Sequence, residues 1–261
     1  MKRPGILPAL LLAAALAGGC ASTPPAAPGG TSAGAPVMGT NPADPWEAFN
    51  RKVMAFNDAL DDAVLRPVAT AYRDVVPELV RRGVDNVLGN LSDVWSAANH
   101  LLQGKVHSGL DMGMRVLTNT LFGLGGLLDP ATEMKLERRS EDFGQTLGRW
   151  GVGPGPYVVL PLLGPRTVRD SFGLVVDRQA DGSQLIDKDS TRYVYTAVEI
   201  INTRAGLLSA SSLLNQVALD RYSFLRDAYL SRRLDQVYDG APPLENFDDG
   251  DPEAPPKEGK K

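Results

Sequence analysis

The stretch that decides the fold is residues 44–64, DPWEAFNRKVMAFNDALDDAV. Trp46, Phe49, Val53, Phe56, Leu60 and Val64 recur at helical spacing. At 100° per residue they fall within an arc of roughly 80°, with Asn50, Arg51, Asn57, Asp58 and Asp61 on the rest of the surface. This is an amphipathic helix. Asp44, Pro45 and Glu47 stand where an N-cap acid, a first-turn proline and a capping-box glutamate belong, so Asp44 is expected to cap it. Phe49 and Phe56 are expected to pack into a core, and Asp58, Asp61 and Asp62 to form a solvated face.

The same period continues outward. Pro67 and Pro77 suit the first turns of further helices. Val80, Val84, Val87, Leu88 and Leu91 form a stripe that should break near Gly89-Asn90. Val94 to Leu102 form another, closed by Gly104, and Leu110, Met114, Leu117 and Leu121 a third. Two later patterns cover about Thr191 to Leu208 and Asp220 to Val237, and Thr167 is placed to cap a helix containing Asp170. The run from Gly151 to Gly164 carries too many glycines and prolines for a helix and reads as a rigid apolar loop or irregular hairpin. Within it Tyr157 to Leu160 is the one strand candidate. The expected fold is all-α, a single domain of about six to eight amphipathic helices.

Ahead of that domain, Lys2 and Arg3 precede an apolar run from Ile6 to Leu16, too short to span a bilayer, and then Ala17-Gly18-Gly19-Cys20. Small residues before the sole cysteine of the chain are the pattern of a signal peptide cut at a lipidation site. Cys20 is thus expected to carry acyl chains, and no disulfide can form within the chain. Ala17 stands where a lipobox prefers leucine. Ala21, in place of aspartate after the cysteine, points to outer-membrane delivery. The expected organisation is residues 1–19 as signal peptide, 20–43 as an uncharged Ala/Pro/Gly/Ser/Thr tether, 44–240 as the folded domain and 241–261 as a disordered tail.

Composition narrows the chemistry. Across 261 residues, 43% are hydrophobic and 22% charged, with a net charge of −4, which is neither disordered nor basic enough for nucleic acid. Two histidines and one cysteine leave no ligand set of the zinc-site kind. No nucleophile elbow surrounds Ser171, His100 and His107 do not match a metalloprotease spacing, and neither Gly104-Lys105 nor the glycines at 151, 153 and 155 form a nucleotide-binding loop. No catalytic residue, metal or cofactor beyond the acyl chains on Cys20 is expected. Amphipathic helices joined by apolar Gly/Pro loops can lie within one leaflet; the same loops can equally pack in a soluble core.

Several blocks in order resemble the VacJ/MlaA family of outer-membrane lipoproteins. They are Asp44-Pro-Trp-Glu-Ala-Phe-Asn-Arg51, Arg66-Pro-Val-Ala-Thr-Ala-Tyr-Arg-Asp74, Leu101-Leu-Gln-Gly104, Asn119 to Gly126 with Asp129, Phe143 to Tyr157 continuing to Pro165, and Thr203 to Leu208. The resemblance implies a ring of helices in the inner leaflet of the outer membrane, around an amphipathic channel and facing the periplasm. It implies removal of phospholipids from the outer leaflet and delivery to a periplasmic carrier, in complex with a trimeric porin. On that basis Gly151, Gly153, Gly155, Pro156, Tyr157 and Pro161 are expected to form a channel rim or gate, with Tyr157 facing the interface. Arg66 and Arg149 are candidate headgroup contacts, with surface ion pairing as the plainer role for each. A structural porin-associated lipoprotein and a lipid-modifying enzyme are the alternatives.

Overall fold

The computed structural model describes residues 41–182 and 188–243. Cys20, the signal peptide, nearly all of the tether and most of the tail lie outside the described residues. Those described form α1 (Glu47–Leu60), a π-helical turn (Asp61–Leu65), α2 (Arg66–Val75), α3 (Glu78–Leu102), α4 (Val106–Phe122), α5 (Pro130–Glu133) and α6 (Phe143–Arg149). A hairpin of β1 (Tyr157–Leu160) and β2 (Gly164–Thr167) follows, then α7 (Val168–Ala180), α8 (Asp189–Val217) and α9 (Arg221–Val237). Seven of these helices have ten residues or more, as the periodicity predicts for an all-α chain. The strands pair antiparallel, Tyr157 opposite Thr167 and Leu160 opposite Gly164.

The opening helix forms, but its polarity is reversed. Phe49 and Phe56 are 53% and 56% exposed, and Trp46 and Val64 are exposed as well, whereas Asn50 is fully buried. Val53 alone of that arc packs against the small apolar core of Tyr157, Val159 and Tyr222. Asp44 is not the N-cap. Its carboxylate accepts from Asn50 Nδ2 (2.9 Å) and the Tyr222 hydroxyl (2.5 Å), so Trp46 takes the N-cap position, without a side-chain cap. The acids expected to be solvated also point to partners: Asp61 binds Arg204 through both oxygens (2.6 and 2.7 Å), and Asp58 binds Arg221 (2.5 Å).

Pro67 stands in the first turn of α2, as expected, although no loop separates that helix from α1. A proline in a continuous helix has no N–H for the carbonyl four residues back and collides with it. The wide π turn immediately before Arg66 relieves that conflict, so the backbone stays helical from α1 into α2.

The break expected at Gly89-Asn90 is absent. Helix α3 passes through it for 25 residues. A methyl group on Gly89 would stand 2.5 Å from the Arg138 guanidinium, so this glycine makes room for a side chain and does not end the helix. Helices α3 and α4 form an antiparallel pair about the turn at Gly104 (φ +77°). Their inner faces carry Asp93, Ser96, Asn99 and His100, and Met112, Arg115, Thr118 and Asn119; their outer faces carry exposed Val80, Val87, Val94, Leu101, Leu110, Met114, Leu117 and Leu121. Among the described residues eight apolar side chains are buried against eighteen polar or charged ones. The usual arrangement of a water-soluble protein is inverted.

Candidate functional site

Polar side chains in an interior persist only when their hydrogen bonds are made. Here they are made in several knots that join the helices. Arg233 of α9 grips Asp142, the side-chain N-cap of α6, at 2.5 and 2.6 Å, and reaches Asp170 of α7 at 3.0 Å. Burial alone would raise the Asp170 carboxyl, but Arg233, the Tyr229 hydroxyl (2.7 Å) and Arg169 hold it below the ordinary carboxylate range. Thr167 caps α7 by accepting from Asp170 N (3.1 Å), as the sequence predicts. A second knot centres on buried Arg115, which donates twice to Asp129 at 2.9 Å and also binds the Leu136 carbonyl. At one end of the bundle Glu141 accepts from Lys105 (3.1 Å) and Gln103 (2.9 Å), while His100 Nε2 donates to the Arg139 carbonyl.

Within this frame lies a cavity of ≈ 300 Å³. Helix α3 lines it with Leu91, Ser92, Trp95 and Ser96. The segment Ser140–Asp142, Arg166 of β2, Leu174, Asp177 and Arg178 of α7, Asp181 and Gly182 after it, and Glu199 of α8 complete the wall. Trp95 Nε1 donates to Asp177 Oδ1 at 2.8 Å, which fixes α7 across α3. The lining mixes both charge signs with apolar surface. Burial raises the Glu199 carboxyl above its ordinary value, and Asp181 adds to the effect; burial raises Asp177 as well. Arg166 Nε is buried without a hydrogen-bond partner among the described residues. Such a site suits a ligand that carries both charges on an apolar body.

The expected rim residues fall on the loop and hairpin that lead into this wall. Gly151, Gly153, Gly155 and Pro161 are exposed, Pro156 is half-buried, and Gly151 and Gly155 have φ of +91° and +66°. Tyr157 does not face an interface. It is 1% exposed, packed edge-on to Tyr222 at 6.2 Å and beside Tyr229, and burial pushes its hydroxyl up to about 12. Neither Arg66 nor Arg149 belongs to the cavity lining. Arg66 pairs with Asp62 (2.8 Å), and Arg149 is exposed.

Sequence alone does not single out the cavity residues Arg166, Asp177, Arg178 and Glu199. It holds one signal: Asp170, Leu174 and Asp177 lie at i, i+4 and i+7, which places both carboxylates on one face of α7. Among the described residues no group of three or more His, Cys, Asp or Glu side chains is arranged to hold a metal, and no helix is long and apolar enough to cross a membrane.

Comparison with known proteins agrees with the sequence blocks. A family model described as MlaA lipoprotein matches residues 42–236. The chain is 39% identical over 230 residues to the intermembrane phospholipid transport system lipoprotein MlaA of Shigella flexneri, covering 87% of this chain and 86% of the relative. The protein of that name from Escherichia coli K12 gives the same identity and coverage, and that from Haemophilus influenzae is 34% identical over 245 residues, covering 92% and 93%. A solved structure described as "Structural basis for maintenance of bacterial outer membrane lipid asymmetry" superposes with a TM-score of 0.66 at 39% identity, covering 74% of this chain and 98% of the other. The chain belongs to the MlaA lipoprotein family.

Proposed function

We propose that this protein is an outer-membrane lipoprotein that takes phospholipids from the outer leaflet and passes them to a periplasmic carrier, anchored through acylated Cys20 and working beside a trimeric porin. The observation that carries this reading is the inverted polarity. A polar, charge-paired interior surrounded by exposed apolar helix faces suits a body seated in the hydrocarbon of the inner leaflet. The relatives named for intermembrane phospholipid transport support the cargo.

A phospholipid headgroup is costly to carry through hydrocarbon unaided. The cavity between α3, α7 and α8 offers a conduit for it, with Arg166 and Arg178 opposite the phosphate and Glu199 and Asp181 opposite an ammonium. The loop from Gly151 to Pro161 leads into β2, which contributes Arg166 to that wall, and this supports its role as a rim or gate. Direction of transport comes from the carrier, since the chain writes no nucleotide-binding loop of its own.

Deletion of the gene followed by measurement of outer-leaflet phospholipid tests the reading. Accumulation, with sensitivity to detergent and chelator, is expected, and restoration by the wild-type gene but not by Leu174→Trp, which fills the cavity. Unaltered lipid asymmetry in the deletion strain overturns transport in favour of a porin-associated structural role.

A further inference from the structure

A second cavity, ≈ 640 Å³, opens along the seam between α3 and α8. Its volume is within the range of about 300–1,000 Å³ typical of ligand sites. Val84, Val87 and Leu88 of α3, Leu127 from the turn after α4, and Tyr195 and Val198 of α8 form most of its walls, and Arg82, Asn86 and Asp129 also border it. Chain continuity joins it to the polar cavity. On α3 the apolar lining ends at Leu88 and the polar lining begins at Leu91-Ser92; on α8 Val198 belongs to the one and Glu199 to the other. Within one turn of each helix the lining therefore passes from Leu88 to Ser92 on α3 and from Val198 to the charged Glu199 on α8.

The dimensions match a single hydrocarbon chain. From Leu79 to Leu88 the wall, apolar except at Arg82 and Asn86, spans ten residues, a rise of about 13 Å at 1.5 Å per residue. Half of the bilayer's hydrocarbon core is about 15 Å, the depth that one acyl chain fills. A slot with so apolar a wall does not hold water well, and a hydrocarbon tail is the occupant whose chemistry suits it.

We infer that the α3–α8 seam is an acyl-chain site, holding one tail of a phospholipid whose headgroup occupies the adjoining polar cavity. The tail then stays among apolar groups while the phosphate meets Arg166 and Arg178. This inference rests on the transport reading above, and adds where the tail lies.

The test uses the full-length protein reconstituted in bilayers containing phosphatidylethanolamine with a diazirine midway along one acyl chain. After irradiation, adducts are mapped by mass spectrometry. Adducts concentrated on residues 79–88 and 195–198, severalfold above those on the outer face of α4, are expected. Equal labelling of the seam and of α4 overturns the site, because it reports only surrounding lipid. Leu88→Trp, confirmed folded by circular dichroism, should remove the seam adducts and leave those on α4; persistence of the seam adducts overturns the site. The wild-type map decides the matter even if that variant does not fold. Unlabelled seam with a disturbed deletion strain sinks the seam and leaves transport standing; a labelled seam with normal asymmetry in the deletion strain does the reverse.

Discussion

Asn50 and Asn57, two turns apart on α1, hold the hairpin with the same pair of hydrogen bonds. Asn50 donates to the Tyr157 carbonyl (3.1 Å) and accepts from Val159 N (2.9 Å); Asn57 donates to the Leu160 carbonyl (3.0 Å) and accepts from Leu162 N (2.8 Å). A two-stranded hairpin is marginal alone and leaves each edge unpaired. Here Asn50 and the Ala43 carbonyl, which accepts from Tyr157 N (2.8 Å), bind β1, and Asn57 binds its end and the turn that follows. Asn50 is buried and Asn57 is not, so the consequences of removing them differ. Asn50→Ala leaves a buried N–H and C=O unpaired at about 1–3 kcal/mol each, whereas water replaces most of what Asn57→Ala removes. Thermal melts in detergent should show the larger loss for Asn50→Ala. Equal losses would refute the clamp.

The exposed phenylalanines of α1 carry the opposite expectation. Phe49→Glu and Phe56→Glu remove no core contact, so the melting temperature in detergent should hold nearly constant. A charge in hydrocarbon costs about 2.5–3.5 kcal/mol at the deepest positions, so binding to vesicles by protein lacking the acyl anchor (Cys20→Ala) should weaken measurably. Flotation on a density gradient reads this directly. Flotation as strong as that of the parent would mean that this face meets no lipid.

Helical period is legible in the sequence because it depends only on spacing. It marks α1, α3, α4, α8 and α9, although the stripe from Thr191 to Leu208 stops well short of the end of α8 at Val217; α2 and α7 are signalled instead by Pro67 and by the Thr167 cap. Which side of a period faces inward is not legible. Asn50 and Phe49 are adjacent, and assigning Phe49 to a core assumes water outside. With apolar surroundings the same pattern is satisfied by burying Asn50, and the structure does so. The short helices α5 and α6 leave no trace in the pattern, since four and seven residues cannot establish a stripe. The cavity is hidden for a different reason: Trp95 and Asp177 meet across 82 residues of sequence, and only the packing of α3 on α7 brings them together.

Two helical glycines separate packing from propensity. A methyl group placed on Gly113 of α4 would meet nothing within 4 Å, so Gly113→Ala should raise stability by about 0.5–1 kcal/mol through the unfolded chain's lost freedom. On Gly144 of α6 that methyl would stand 2.5 Å from Arg233 Nη2 and 2.7 Å from Asp170 Oδ1. Gly144→Ala should therefore spread the Arg233–Asp142–Asp170 knot and cost about 1–3 kcal/mol. Denaturant midpoints measured side by side should move in opposite directions. A shift of the same sign in both would show that the knot yields freely.

The pH dependence of stability should separate the cavity's acids from those that bind arginine. Arg204 holds Asp61 below the ordinary carboxylate range, so its contribution is present above about pH 4 and fades as pH falls through the lowered value. Glu199 behaves in the reverse sense. Burial, with Asp181 second, raises its carboxyl above 4.5, so ionisation costs stability at neutral pH and the cost disappears once both folded and unfolded states are protonated. Glu199→Gln keeps the shape and removes the charge. It should stabilise the protein at pH 7, with the advantage shrinking toward zero below about pH 4. Asp61→Asn should destabilise at pH 7 and matter little in acid. Melting curves of the three proteins between pH 3 and 8 check both signs at once, and a Glu199→Gln variant less stable than the parent at pH 7 would show that the carboxylate is held by attraction, not merely tolerated.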